Sequence, residues 1–177
     1  MFKPVLGIIG GGQLGSMLSQ AAKKLDIRTI VYCDDKDAPA QHFADEFIFG
    51  EYDEINKLKE FCYKVDIITY EFENIPYETL NEMNRVKPVL PKPSVNRLIQ
   101  HRIAEKDFVN KLNIRTTRYV SIENKSDMEQ LGDFLPGILK TTTMGYDGKG
   151  QYHIKKIKDI NNPVSYTHLT LPTILRV

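Results

Sequence analysis

Residues 140–151, Lys-Thr-Thr-Thr-Met-Gly-Tyr-Asp-Gly-Lys-Gly-Gln, place two lysines and three glycines in one short stretch. Glycines let backbone N–H groups close over phosphate oxygens, and Lys140 and Lys149 supply positive charge. The stretch lacks the GxxxxGK[ST] spacing of a P-loop and lies between two extended runs rather than between strand and helix. An ordinary surface hairpin explains its glycines and Asp147, but not two lysines together with Tyr146, so phosphate binding is the better reading. A second cluster, Gly10-Gly11-Gly12-Gln13-Leu14-Gly15, fits GxGxxG at a strand-to-helix turn, where free N–H groups and the helix dipole attract an anion. Asp34 and Asp35 follow at the distance from which a dinucleotide fold offers an acid to a ribose hydroxyl. The same glycines also serve simply to pack helix on strand, and both readings stay open. In the third motif, Thr69-Tyr-Glu-Phe-Glu-Asn-Ile-Pro76, Glu71 and Glu73 point the same way if the chain is extended, so that one can accept from a bound amine or hydroxyl. Its plainer reading is an acidic loop leading into a proline-started helix.

These residues need elements to hold them. Residues 4–9 form an apolar run, as a strand buried on both faces would. Leu14, Met17, Leu18, Ala21, Ala22 and Leu25 then recur at helical spacing. Further strands are expected at Arg28–Cys33 and Val65–Tyr70, with a helix over Glu54–Tyr63 between them. Strand alternating with helix predicts an α/β fold with a Rossmann-like parallel sheet. Pro88, Pro91 and Pro93 exclude a regular helix and mark a domain edge, giving a first domain over 1–93. Ser94 is placed to cap one helix carrying Val95, Leu98, Ile99, Arg102, Ile103, Lys106, Val109 and Leu112. Strands at Ile138–Thr142 and Gln151–Ile157, joined by a hairpin loop over Met144–Gly150, complete a small α+β second domain over 94–163. Residues 164–177 differ in composition, with Arg176 their only formal charge; they read either as a final strand or as a tail foreign to the native protein.

Composition narrows the function. The 177 residues carry 24 Lys plus Arg against 23 Asp plus Glu, so no broad charge excess exists for nucleic acid or anionic lipid. With 41% hydrophobic residues a sizeable core is expected and global disorder is not. No apolar run approaches the ~20 residues of a membrane helix, and Met1-Phe2-Lys3-Pro4 leads straight into a strand, so a cytoplasmic protein is expected. Cys33 and Cys62 have neither disulfide nor zinc spacing and read as packed thiols; no metal ligand set is predicted. His42, His101, His153 and His168 are scattered, and no nucleophile–base set can be assembled.

Taken in order, Ile8-Ile-Gly-Gly-Gly-Gln-Leu-Gly15, Thr69-Tyr-Glu-Phe-Glu-Asn-Ile75, Ile99-Gln-His-Arg102 and Gly145-Tyr-Asp-Gly-Lys-Gly-Gln151 resemble the N5-carboxyaminoimidazole ribonucleotide synthetases of the ATP-grasp superfamily. The resemblance covers residues 4–162 and is most specific in its last motif. It implies a ligase of purine biosynthesis in which ATP and bicarbonate form carboxyphosphate, whose carbon dioxide is captured by the amine of 5-aminoimidazole ribonucleotide. The first domain is then a pre-ATP-grasp domain and the second an ATP-grasp lid. By the same resemblance Arg102 and Lys140 contact the phosphates of ATP, under a loop formed by Gly145, Tyr146, Asp147, Gly148, Lys149, Gly150 and Gln151. Gly12, Gln13 and Leu14 lie against the ribonucleotide, Glu73 accepts near its aminoimidazole, and Tyr146, Asp147 and Lys149 also face that substrate. The family usually has Asp where His101 stands and often Gly where Met144 stands. Its magnesium-binding acids, adenine contacts and C-terminal basic contacts fall after the point where this sequence ends. The resemblance therefore implies an N-terminal fragment, inactive as a synthetase by itself, of an enzyme that is a homodimer at full length.

Besides a non-catalytic two-domain module that binds a nucleotide monophosphate or nothing, two other readings compete. One is a different ATP-grasp ligase, such as the formate-dependent glycinamide ribonucleotide transformylase or a biotin carboxylase, which share the domain order. The other is an NAD-binding Rossmann oxidoreductase built on the glycine turn, against which stand the lysine-bearing hairpin and the lack of an evident hydride-transfer acid or base.

Overall fold

The computed structural model describes residues 3–122, 125–144, 150–156 and 168–170. The chain forms two compact units, Met1–Arg97 and Leu98–Val177.

In the first unit four strands, β1 (Val5–Ile9), β2 (Arg28–Cys33), β3 (Glu46–Phe49) and β4 (Ile67–Tyr70), form a sheet in the order β3-β2-β1-β4. Every pairing is parallel, with Ile8 opposite Val31 and Thr69 in the centre. Alternate residues of the apolar β1 run enter different cores, because successive side chains leave a strand on opposite faces. Ile9 joins Ile30, Tyr32, Phe61, Ile68 and Leu80 on one face, and Ile8 joins Val31, Cys33, Ala38 and Ala40 on the other. Helices α2 (Ile55–Lys64) and α3 (Tyr77–Asn84) supply Phe61 and Leu80 to the first of these cores. Fully burying a side chain the size of Phe61 contributes about 1.5–3 kcal/mol, so the two-sided core is what fixes the carboxyl ends of the strands. Helix α1 (Gln13–Lys24) begins directly after β1 and buries Gly15, Ser16, Ser19 and Ala22. Both cysteines are free and buried, and burial pushes the Cys62 thiol up to about 11.

The fold carries elements that the sequence pattern did not yield. Strand β3 is not among the strands expected from the sequence, because a four-residue edge strand that begins with Glu46 shows no periodicity worth reading. The single helix expected from Ser94 is two, α4 (Pro93–Ile99) and α5 (Arg102–Lys111), with Ser94 inside the first rather than capping it. The break falls at His101, whose extended backbone (φ −117°, ψ 104°) and Nδ1, accepting from Ala104 N, cap the second helix. The imidazole thus does the capping work of the Asp usual in the resembling family.

In the second unit β5 (Tyr119–Ser121), β6 (Gly137–Lys140), β7 (Gln151–Ile154) and β8 (His168–Thr170) form an antiparallel sheet in the order β5-β8-β6-β7. Ile122, Leu131, Leu139 and Ile154 make its core. Strand β8 lies within the segment 164–177, whose other residues are outside those described. The expected end of β7 at Ile157 is outside them as well.

Candidate functional site

The first cluster is built where β1 turns into α1. Gly10 adopts φ +100°, and a Cβ there would stand 2.7 Å from Glu71 Oε1, so only glycine fits both the backbone angle and the space. Tyr32 O and Ala40 N hold the turn through bonds of 2.9 Å to Gly10 N and Gly11 O. Gly12 is the N-cap of α1 but has no side chain to cap with, and the first turn contains no acid. The missing cap comes from across the sheet: Gly12 N donates to Glu71 Oε1 at 2.9 Å, while Glu71 N donates to Ile9 O at 3.0 Å. One carboxylate oxygen therefore meets the positive end of the helix, and the other remains as an acceptor beside the turn. Gln13 and Leu14, the next two residues, are exposed.

Glu73 is held differently. The strand stops at Tyr70 and the chain turns at Glu73 and Asn74, so the two glutamates do not share a face as an extended chain would have required. Glu73 is exposed, and its backbone carbonyl accepts from the Nδ2 of the fully buried Asn96 at 3.0 Å. Glu71, which the resemblance did not single out, is the acid beside the glycines. The helix that follows, α3, does start after Pro76. Asp34 and Asp35 are exposed after β2, and Asp35 Oδ1 accepts from Asp37 N at 2.9 Å, closing a local turn.

The second cluster belongs to the second unit. Lys140 ends β6, opposite Gln151 on β7. Thr141 N donates to Gly150 O at 2.9 Å, and Gly150 takes φ +65° with its Cα packed so closely on Thr141 that a Cβ would meet Oγ1 at 2.5 Å. The N-terminus of α5 is tied to the same place, since Arg102 N donates to Thr142 O at 2.9 Å and Arg102 Nε to Thr141 O at 3.2 Å. One turn further along α5, Lys106 donates from Nζ to Thr117 O at 3.4 Å and lies over the Tyr119 ring, 5.1 Å from its centre. Burial, then repulsion from Arg102 and Lys106, holds the Lys140 ammonium below its ordinary pKa. Burial also depresses Lys106, with Glu105 opposing and Arg102 adding to the effect. Among the described residues neither lysine has a carboxylate within salt-bridge distance. The buried Oγ1 of Thr141 likewise has no hydrogen-bond partner among them.

Two lysines without a salt-bridging carboxylate among the described residues, repelled by each other and by Arg102, fit a polyanion such as the phosphates of ATP. Gly145, Tyr146, Asp147, Gly148 and Lys149 lie outside the described residues, so the cluster rests on Arg102, Lys140, Gly150 and Gln151 from the sequence reading, with Lys106 and Thr141 added. The signal for Lys106 was its i,i+4 spacing from Arg102, which puts both on one helix face. Among the described residues no group of three or more His, Cys, Asp or Glu is arranged to hold a metal ion, and no helix is long and apolar enough to cross a membrane.

Comparison with known proteins bears on both clusters. Residues 3–100 match the ribonucleotide synthetase preATP-grasp domain, and residues 107–175 match the ATP-grasp domain. The chain is 35% identical over 161 residues to N5-carboxyaminoimidazole ribonucleotide synthase of Staphylococcus aureus (strain COL), covering 90% of this chain and 43% of that protein. It is 39% identical over 159 residues to the bifunctional purine synthesis protein purC/E of Dictyostelium discoideum, covering 88% of this chain and 16% of that one. The crystal structure of N5-carboxyaminoimidazole synthetase from Staphylococcus aureus complexed with ADP superposes with a TM-score of 0.89 at 32% identity, over 97% of this chain and 48% of that chain. The chain thus spans about half the length of the solved relative. The glycine turn opens a unit of the kind that precedes an ATP-grasp domain, and Lys140, Thr141, Gly150 and Gln151 lie in the segment matching that domain, with Arg102 and Lys106 just before it: the chain belongs to the ribonucleotide synthetase preATP-grasp family and continues into an ATP-grasp domain.

Proposed function

We propose that this chain forms the ribonucleotide-binding and nucleotide-phosphate-binding parts of an N5-carboxyaminoimidazole ribonucleotide synthetase. The observation that carries the reading is the proximity of Arg102, Lys106 and Lys140, near a buried Thr141 hydroxyl that has no hydrogen-bond partner among the described residues. Placed cations of this kind stabilise the charge that develops when the terminal phosphoryl group of ATP passes to bicarbonate. Arg102 and Lys140 take phosphate oxygens beside Gly150 and Gln151, and Gly145, Tyr146, Asp147, Gly148 and Lys149 contribute to the same phosphate site on this reading. The ADP bound to the Staphylococcus aureus relative supports this assignment.

In the first unit Gln13 and Leu14 offer main-chain N–H groups to the ribonucleotide at the positive end of α1. Gly12 acts through the carboxylate it already binds: Glu71 is held by one oxygen and accepts with the other from the amine or a hydroxyl of 5-aminoimidazole ribonucleotide. Glu71 thereby takes the acceptor role that the resemblance put at Glu73, while Glu73 sits at the exposed edge of the same turn. The products on this reading are the N5-carboxy ribonucleotide, ADP and phosphate. Magnesium accompanies the nucleotide, and the whole enzyme works as a homodimer in the cytoplasm on small molecules alone.

Calorimetric titration of the chain tests the proposal. Saturable binding of 5-aminoimidazole ribonucleotide, lost in Glu71→Ala, with no binding of NADH, is expected. Saturable NADH binding together with indifference to the ribonucleotide would replace it with the oxidoreductase reading.

A further inference from the structure

Lys106 is more constrained than a surface lysine needs to be. Its ammonium lies over the face of Tyr119, and that ring is itself braced, because its hydroxyl donates to Asp107 and takes a 3.3 Å bond from Asn110 Nδ2. A cation held on the face of a hydrogen-bonded ring is restricted in direction. Only one acceptor, Thr117 O at 3.4 Å, meets its three N–H groups among the described residues. The residue one helical turn earlier, Arg102, is anchored by two bonds to Thr141 and Thr142 immediately after Lys140. The backbone thus brings α5 and the end of β6 together, and three cations with them.

We propose that Lys106 is a third phosphate-holding residue, binding from α5 the same polyanion that Arg102 and Lys140 bind. This rests on the nucleotide-phosphate reading of that cluster and goes beyond it, since neither the sequence motifs nor the resemblance assign Lys106 a role. The ammonium offers its two remaining N–H groups to phosphate oxygens, and Tyr119 keeps it from relaxing away from Arg102 and Lys140 in the free protein. Such preorganisation removes part of the entropy a free lysine would lose on binding.

The test is amine labelling of the chain by limiting acetic anhydride, read lysine by lysine by mass spectrometry, with and without inorganic tripolyphosphate. Protection of both Lys140 and Lys106 at least fivefold, with Lys59 and Lys92 unchanged, is expected. Protection of Lys140 alone overturns the inference and leaves the phosphate reading standing; protection of neither overturns both. In parallel, Lys106→Met is expected to raise the Kd for tripolyphosphate at least about tenfold through the loss of its charge-assisted contacts, and Lys106→Arg to recover most of it. An unchanged Kd in Lys106→Met also overturns the inference, and the labelling of the unaltered chain keeps the test decisive if that variant does not fold.

Discussion

The two clusters recognise in opposite ways. At the glycine turn a single charge, Glu71, already meets the positive end of α1, so that site is electrically settled and selects through main-chain geometry. At the end of β6 Arg102, Lys106 and Lys140 repel one another, and among the described residues neither lysine has a carboxylate within salt-bridge distance. A settled site costs the fold little and discriminates by shape; an unsettled one is destabilising when empty and gains most from an anion.

The largest difference is expected from removing charge. Lys140→Met should weaken ADP or tripolyphosphate by about 10- to 100-fold, since a hydrogen bond to a charged group is worth about 1.5–3 kcal/mol. Calorimetry should show the ribonucleotide unaffected. Next, Gly10→Ala should cost the first unit about 2 kcal/mol or more in thermal unfolding, because the backbone must hold φ +100° and the new Cβ would crowd Glu71. It should leave tripolyphosphate affinity as it was. A loss of tripolyphosphate binding in this variant would break the comparison.

pH sharpens it further. Lys140 and Lys106 have depressed pKa values in the free protein. A polyanion pairs with their charged forms and raises those values, so the complex takes up protons wherever the free lysines are partly neutral. Tripolyphosphate affinity is therefore full below the depressed values and falls as pH climbs through them towards the ordinary lysine value. Titrations in buffers of different ionisation heat should report proton uptake by the lysines in that window, fading as pH falls below it. The smallest effect is at the cap of α5, where His101→Asp should gain about 0.5–1 kcal/mol of thermal stability, an ionised acid being the better partner for a helix N-terminus.

The sequence was legible where local pattern and tertiary structure agree. The apolar run before Gly10 is a central parallel strand, and the spacing from Leu14 to Ala22 is α1. It misled where long-range contacts decide. Helical periodicity runs straight through His101, and the break there is set by the imidazole cap and by Thr142 drawing Arg102 N to the end of β6. Alternation put Glu71 and Glu73 on one face, a count that holds only while the strand continues, and it ends at Tyr70. Lys106 looked like one more position on a helix face, since nothing local shows that Tyr119 and Thr117 fix it. Met144, where the resembling family often has Gly, stands at φ +57°, a backbone angle that a glycine would hold without strain.

Backbone amide chemical shifts of the chain, followed by NMR through separate titrations with ADP and with 5-aminoimidazole ribonucleotide, test most directly whether each cluster has its own ligand. ADP is expected to move Arg102, Lys140, Thr141 and Gln151 and to leave Gly10–Ser16 in place, while the ribonucleotide does the reverse. Movement of Gly10–Ser16 by ADP with the residues around Lys140 silent would contradict the account.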